Sequence, residues 1–600
     1  MDLTGSSKSD TPDPTRDLAE PDLSGAGLSH GQTGANVPAG ISCGRCWCTQ
    51  GVPSWITHTE VLLISAVAPD KLPCSNKFTA AASMTLVDVL YAAPGLLELM
   101  APGSLTVLLN TCRQVRETLQ EAITSIRLPS SSTNQLVNCQ LLARGHWPNL
   151  QHLSLMHLHL DTESVMELVA ADWPKLHCLN MSGGTLEAAA LLPLISNKWS
   201  QMRSLDMSRC SVSSAMLAVF ASCKWKFLQH INLADTQLDA DAVAVLVKAE
   251  WPALLSLNIS HNPLQPPFSA YIANACWPLL TALDLSMPPG FRLDTTAVAE
   301  LLKAEWPQLE CLRLHSALEP STALSLASGS WRQLKALHLC NNRLGAGALA
   351  QLVRASWPLL ERLTLSANNL DAEAVGHLAK SNFQSLTDLD LSNNNLDAVA
   401  MQELASGSFY HQLNSLQLSC NDLNAFAIAK FVRADWSGLQ SLHLVGSHLG
   451  ASAIEQLVRG DFGSLLCLDL SMNRLDTPAL EQLIRNSWPK LQTLNLACSH
   501  MNVDGISQLV KGKWASLQSL VLAGNNLDSL ALQQLVKGTW PQLQRLDLSH
   551  NCISTAHLAS LGNGNELLVR LGENCFDPPV SLFGRHWSYL QAVILSNCQS

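Results

Sequence analysis

The sequence predicts an α/β solenoid, with one short parallel strand and one helix in each coil of about 26 residues. Three observations predict it: a recurring aromatic, an apolar pattern that follows it, and a capped amphipathic stretch that closes each unit. Trp147, Trp173, Trp199, Trp225, Trp251 and Trp277 follow one another at one constant interval, several of them directly before a proline. After one longer and one shorter interval, through Trp306 and Trp331, the beat resumes at Trp357, Phe383, Phe409, Trp436, Phe462, Trp488, Trp514 and Trp540. A fixed period of roughly 20–50 residues marks stacked supersecondary units rather than one globular enzyme domain. Fourteen of the sixteen tryptophans fall on this ladder, counting Trp587, and phenylalanine replaces tryptophan at three rungs in the same frame. Such interchange points to packing between a helix layer and a sheet layer, rather than to an exposed platform for bases or peptides.

The strand comes next in each unit. After Trp357, the residues Leu360, Leu363, Leu365, Asn368 and Leu370 spell LxxLxLxxNxL. The same frame gives Leu254, Leu257, Ile259, Asn262 and Leu264, and later Leu543, Leu546, Leu548, Asn551 and Ile553. Alternation through LxL is a short strand with one buried face. The asparagine then leaves the strand at a turn, where its amide can bond backbone groups of the neighbouring coil. Asn342, Asn394, Asn421, Asn473 and Asn525 fill the same slot, while Cys210, Thr236, Ser447 and Ser499 are small groups suited to part of that work.

The helix closes the unit. Asp371 is a good N-cap, Glu373 places negative charge in the first turn, and Val375, Leu378 and Ala379 form one inward stripe. Asp161, Asp239, Asp397, Asp476 and Asp528 occupy the equivalent cap. Proline after the tryptophan stops the helix before the next strand.

These units resemble leucine-rich repeats, and their strand-plus-helix length is similar to the ribonuclease-inhibitor-like and F-box-type members. The resemblance implies a curved horseshoe whose concave face holds a protein partner. About nineteen coils run through residues 123–600. At about 4.8 Å per strand the inner sheet would extend for roughly 90 Å. The last strand motif ends just before Ser600, so a partner would have to cover the final coil unless the chain is a shortened gene product.

Ahead of the repeats, residues 1–42 read as a disordered leader rich in Ser, Thr, Gly, Pro and Asp. Residues 43–86 form a cysteine-containing linker, and residues 87–122 a small helical N-terminal cap or an F-box-like module. Part of that last segment resembles an F-box: Leu96, Leu97, Pro102, Leu105, Leu108, Cys112, Arg113 and Arg116 carry the likeness. It departs from the family in opening with Ala93-Pro94 and a clipped first helix. The resemblance implies docking on the adaptor and cullin of an SCF-type ubiquitin ligase, with the repeats receiving a substrate. A GTPase-activating or GTPase-regulating role is the alternative, since helix-bearing leucine-rich repeats include such a group.

Composition narrows the classes. A net charge of −11 without a basic stripe argues against nucleic acid. No apolar run reaches membrane-spanning length, and the polar, acidic N-terminus does not resemble a secretory signal. Cys178, Cys311 and Cys467 take one strand position in far-apart coils, too distant to pair, which suits a reduced, cytoplasmic setting. Nuclear or ciliary residence fits equally. Cys43, Cys46 and Cys48, with Cys74, have the makings of a metal cluster but lack a second pair at zinc spacing. No catalytic motif, resident metal or cofactor is expected, and the nineteen histidines read as scattered and unpaired. The expected protein is a monomeric, non-catalytic scaffold.

Outward strand residues form columns on the concave face. Asp206, Asp284, Arg313, His338, Asp390, His443, Asp469 and Asp547 lie in the middle column, with Arg362 and Asp388 on its flank. A column of small residues, mostly serine, lies beside it. This polar, mildly acidic surface suits a polar or basic protein partner. An irregularity around residues 263–293 disturbs one rim, where Phe268 and Tyr271 are expected to be exposed and, with Phe291 and Arg292, to offer a specific contact.

Overall fold

The computed structural model describes residues 123–128, 135–186, 199–223, 225–265, 267–553, 568–570 and 592–594. The leader, the Cys43, Cys46 and Cys48 cluster and the cap or F-box-like segment at residues 87–122 lie outside the described residues. Among the described residues, nineteen parallel strands, from Ser125–Arg127 to Ala592–Ile594, add one after another into one open sheet, and His159–Leu160 pairs with Thr185–Leu186 beside it. Register is constant: the central leucines face one another, Leu337 to Leu363 to Leu389 to Leu416. Each strand is short because the chain turns immediately after it. The turn places the residue before the asparagine slot in the left-handed region, as at His261, Asn341, Ala367 and Asn393.

At the strand entrance the ladder is uneven. The Glu361 carbonyl accepts the N–H groups of both Thr387 and Asp388, at 2.8 and 2.9 Å. Two consecutive N–H groups turned to one acceptor suspend the strict alternation of a pleated strand at that point. This detail recurs in coil after coil and bears on the inner face described below.

The asparagines form the ladder that joins the coils. Asn394 Oδ1 accepts the N–H of Asn368 at 2.9 Å and of Leu370 at 3.0 Å, while its Nδ2 donates to the carbonyls of Leu365 and Leu391. Asn421 does the same for Asn394 and Leu396, and Asn473, Asn525 and Asn551 repeat the pattern. The small substitutes retain a fraction of it, as expected. Cys210 Sγ–H donates to the Met181 carbonyl, and the Thr236 hydroxyl to that of Leu233.

Helices form the other layer. Asp161, Asp239, Asp371, Asp397, Asp476 and Asp528 each accept a first-turn N–H through a carboxylate oxygen. Val375 and Leu378 are fully buried, with Ala379 beside them, which is the inward stripe expected of Ala372–Ala379. The aromatic rungs lie between the layers. Trp173, Trp225, Trp251, Trp277 and Trp436 are all below 2 % exposed, which removes any role as an open stacking surface. Neighbouring rungs stack on one another, Trp173 on Trp199 and Trp357 on Phe383, with ring centroids 6.1 and 6.5 Å apart. Trp147, Trp436, Trp488, Trp514 and Trp540 also donate Nε1–H to a carbonyl at the end of the preceding helix, satisfying a group that has no partner within that helix.

The irregular coils are the region of unequal spacing. Met287 and the two prolines after it carry the chain to Gly290, whose φ of +93° needs glycine. A cavity of about 10 Å³ remains nearby between Trp306 and Trp331, lined by Leu285, Val298, Leu312 and Leu326.

Candidate functional site

The face of the sheet turned away from the helices collects the outward strand residues, and the register fixes their order. In the middle column Asp284, Arg313, His338, Thr364 and Asp390 lie side by side in successive coils. Arg362 faces Asp388 in the flanking column, and His443 faces Asp469. Asp206 and Asp547 hold the same middle position towards the two ends. All ten expected inner-face residues therefore lie on one surface, although His338 and Asp390 are buried at 1 % and 6 % exposure. The rest are half-buried.

The aspartates have a local task that their spacing alone did not show. Asp206, Asp284, Asp469 and Asp547 each accept, through Oδ1, both the N–H and the hydroxyl of the serine two residues on. Asp390 accepts the N–H of Ser392 in the same way. Asn180 and Asn258 make the equivalent bond to Ser182 and Ser260, so an amide serves this turn as well as a carboxylate does. One oxygen of each carboxylate thus shapes the coil, and at Asp469 the second accepts the Nδ2–H of Asn495.

The environment tunes these groups differently. Burial raises the pKa of the Asp390 carboxyl, against the hydrogen bonds from Ser392 and Ser366 that lower it. At Asp469, burial pushes upward too, but His443, Ser471 and Asn495 together outweigh it and hold the carboxyl below its ordinary value. The His230 imidazole is lowered by burial.

One line of groups has the residue types of a nucleophilic relay. Ser441 Oγ lies 2.8 Å from His443 Nε2, and His443 Nδ1 lies 3.8 Å from Asp469 Oδ2. The second separation is an ion-pair distance and too long for the hydrogen bond that would orient an imidazole base. The N–H groups of Gln440 and Ser441 are both spent on the Asn414 carbonyl, so they offer no donors to an oxyanion.

Two expectations need correcting. The histidines are not all unpaired: His152 and His177 pack edge to face with centroids 4.9 Å apart, and the rings of His315 and His338 lie 5.9 Å apart. The uneven strand entrance brings His177 toward the ring of His152, because His177 and Cys178 both donate to the Gln151 carbonyl. At the rim, Phe268 is 1 % exposed rather than open, since it begins the helix Phe268–Ala273 and faces the core with Ile272. Tyr271 and Phe291 are half-buried against the core. Arg292 is exposed and donates Nη1–H to the Leu318 carbonyl at 2.7 Å. The F-box-like residues from Leu96 to Arg116 fall outside the described residues.

The family description "Leucine Rich repeat" matches residues 384–405, and "Leucine Rich Repeat" matches residues 542–563. No curated protein matches the sequence. Among solved structures, the crystal structure of the Rad7 and Elc1 complex in yeast is similar at 19 % identity and a TM-score of 0.39, over 64 % of this chain and 88 % of that one. The plant peptide hormone receptor RGFR1, in complex with RGF2, is similar at 15 % identity and a TM-score of 0.28, over 71 % and 68 % of the two chains. TLR13, in a complex with ssRNA13, is similar at 18 % identity and a TM-score of 0.33, over 70 % and 68 %.

Proposed function

We propose that this leucine-rich repeat solenoid is a non-catalytic scaffold that holds a basic or polar protein segment along its inner face. The observation that carries the proposal is the middle column. Its carboxylates at Asp206, Asp284, Asp469 and Asp547 are fixed in direction by their own serines and half-open to solvent. Preorganised charge lowers the ordering cost of binding and steers a partner of opposite sign. Aromatic anchors are sparse on this surface, so affinity would be spread over many modest contacts rather than a few dominant ones.

Within that function, the chain is proposed to serve as the substrate receptor of an SCF-type ubiquitin ligase. The F-box-like pattern of residues 87–122, standing directly before the repeats, supports this role. Affinity purification of the tagged full chain and of a version lacking residues 87–122, each followed by mass spectrometry, tests it. The expected result is that the full chain brings down the adaptor and cullin, the deletion loses them, and both retain a common set of other proteins. Absence of ligase subunits from the full-chain sample would leave residues 87–122 as a cap and the protein as a scaffold of another pathway.

A further inference from the structure

Cysteine occupies the flanking column of the inner face at three coils, Cys178, Cys311 and Cys467, and these three positions have different neighbours. Cys311 lies between Ala282 and Ala336, and Cys467 between Ser441 and Thr493. Cys178 alone of the three lies opposite a histidine, His152, and directly follows another, His177. One ligand atom from each of His152, His177 and Cys178 lies within 4.8 Å of the other two.

We infer that His152, His177 and Cys178 form a three-ligand site for a zinc-class divalent ion, with a fourth coordination position open to the inner face. Imidazole nitrogen and thiolate sulfur are both donors that zinc binds, and three protein ligands with an open position is an established coordination pattern for it. In a tetrahedral site with Zn–N of about 2.0 Å and Zn–S of about 2.3 Å, neighbouring donors stand roughly 3.3–3.6 Å apart. Rotations that move the donors by about 1 Å would close the site. Both imidazoles are half-buried, which leaves them room to turn, while Cys178 is buried and fixed by the sheet. Binding forms the Cys178 sulfur–metal bond and releases the thiol proton to solvent, with no change of oxidation state. Arg203, exposed one coil further on in the column of His177, opposes a dication, and the thiolate offsets one of the two charges. The backbone supports the cluster as well, since the Gln151 carbonyl holds the N–H groups of His177 and Cys178 at 3.0 Å each.

Cobalt(II) titration of the full chain, stripped of metal and kept reduced, tests the site, with zinc(II) then added in competition. The wild type is expected to take up one equivalent of cobalt that His177→Gln and Cys178→Ser do not. That equivalent should show a thiolate-to-cobalt absorption band and be displaced by zinc. Difference spectra against Cys178→Ser remove any contribution from Cys43, Cys46 and Cys48. Cys467→Ser, which changes the same column without histidine neighbours, should keep the equivalent, and Arg203→Gln should bind more tightly. Zinc should also raise the unfolding temperature of the wild type but not of His177→Gln, whose half-exposed side chain can be replaced without disturbing the core. Equal uptake by wild type, His177→Gln and Cys178→Ser would overturn the site. So would equal loss in Cys467→Ser, which would mean an adventitious ion only.

Discussion

Asn394→Ala is expected to cost about 3–5 kcal/mol, because it strands two buried N–H groups and removes the donor to two buried carbonyls at once. The N–H groups are those of Asn368 and Leu370, and the carbonyls those of Leu365 and Leu391, the latter keeping a second donor in Asn421 Nδ2. Asn368 and Leu370 are fully buried, so solvent offers the stranded groups no replacement. Stability in a stacked array is a sum of coil and interface terms, so the damage should stay between adjacent coils. Hydrogen exchange should accelerate between Leu365 and Asn394 and little elsewhere, and denaturant unfolding should separate into two steps. Asn394→Ser should cost less, since Ser447 and Ser499 hold the same slot and their hydroxyls still reach a carbonyl of the preceding coil. A loss under about 1 kcal/mol with unchanged exchange would refute this account of the ladder.

The second large effect is at the aromatic rungs. Trp277→Ala should cost about 3–5 kcal/mol, as expected for deleting a fully buried indole from a filled layer. Trp277→Phe should be tolerated far better. Phe383, Phe409 and Phe462 occupy the same rung elsewhere, and the buried Trp277 Nε1 has no hydrogen-bond partner to lose. Trp436→Phe should fall between the two, because it removes the indole donor and leaves the Phe431 carbonyl only the Ala434 N–H at 3.4 Å, at about 0.5–1.5 kcal/mol. Denaturant unfolding of the three variants gives the order directly, and equal losses for Trp277→Phe and Trp436→Phe would show that the hydrogen bond contributes nothing.

What was legible in the sequence follows from its strict period. Because most coils have the same length, strand, cap and slot repeat in one frame, so Asp371 could be read as an N-cap and Asn368 as a rung from one unit alone. Where the frame is broken, side-chain direction was not legible. Phe268 follows two prolines in the sequence and was placed at the rim, but Pro267 is the N-cap of a helix whose first residue, Phe268, turns inward. The cluster at His152, His177 and Cys178 was missed for a subtler reason. Simple alternation sends His177 and Cys178 to opposite faces, and the shared Gln151 carbonyl suspends alternation there. The signal was available as His152 followed one coil later by the adjacent pair His177 and Cys178. The inner-face aspartates were found, but their bond to the serine two residues on shows that the repeat itself uses them.

That dual use also separates structure from recognition. Asparagine keeps the Oδ1 acceptor, as Asn180 and Asn258 already do, and removes the charge; at Asp469 it also removes the Oδ2 acceptor of the Asn495 Nδ2–H. The most direct measurement is therefore partner binding by a chain carrying Asp→Asn at Asp206, Asp284, Asp390, Asp469 and Asp547, compared with the wild type across a range of salt. The unfolding midpoint should change little. Affinity for the partner captured by the wild type should fall by about a hundredfold or more, with a flatter salt dependence, if each lost contact contributes about 0.5–1 kcal/mol. Unchanged affinity and salt dependence in a folded variant would contradict the account and move the binding surface away from the inner face.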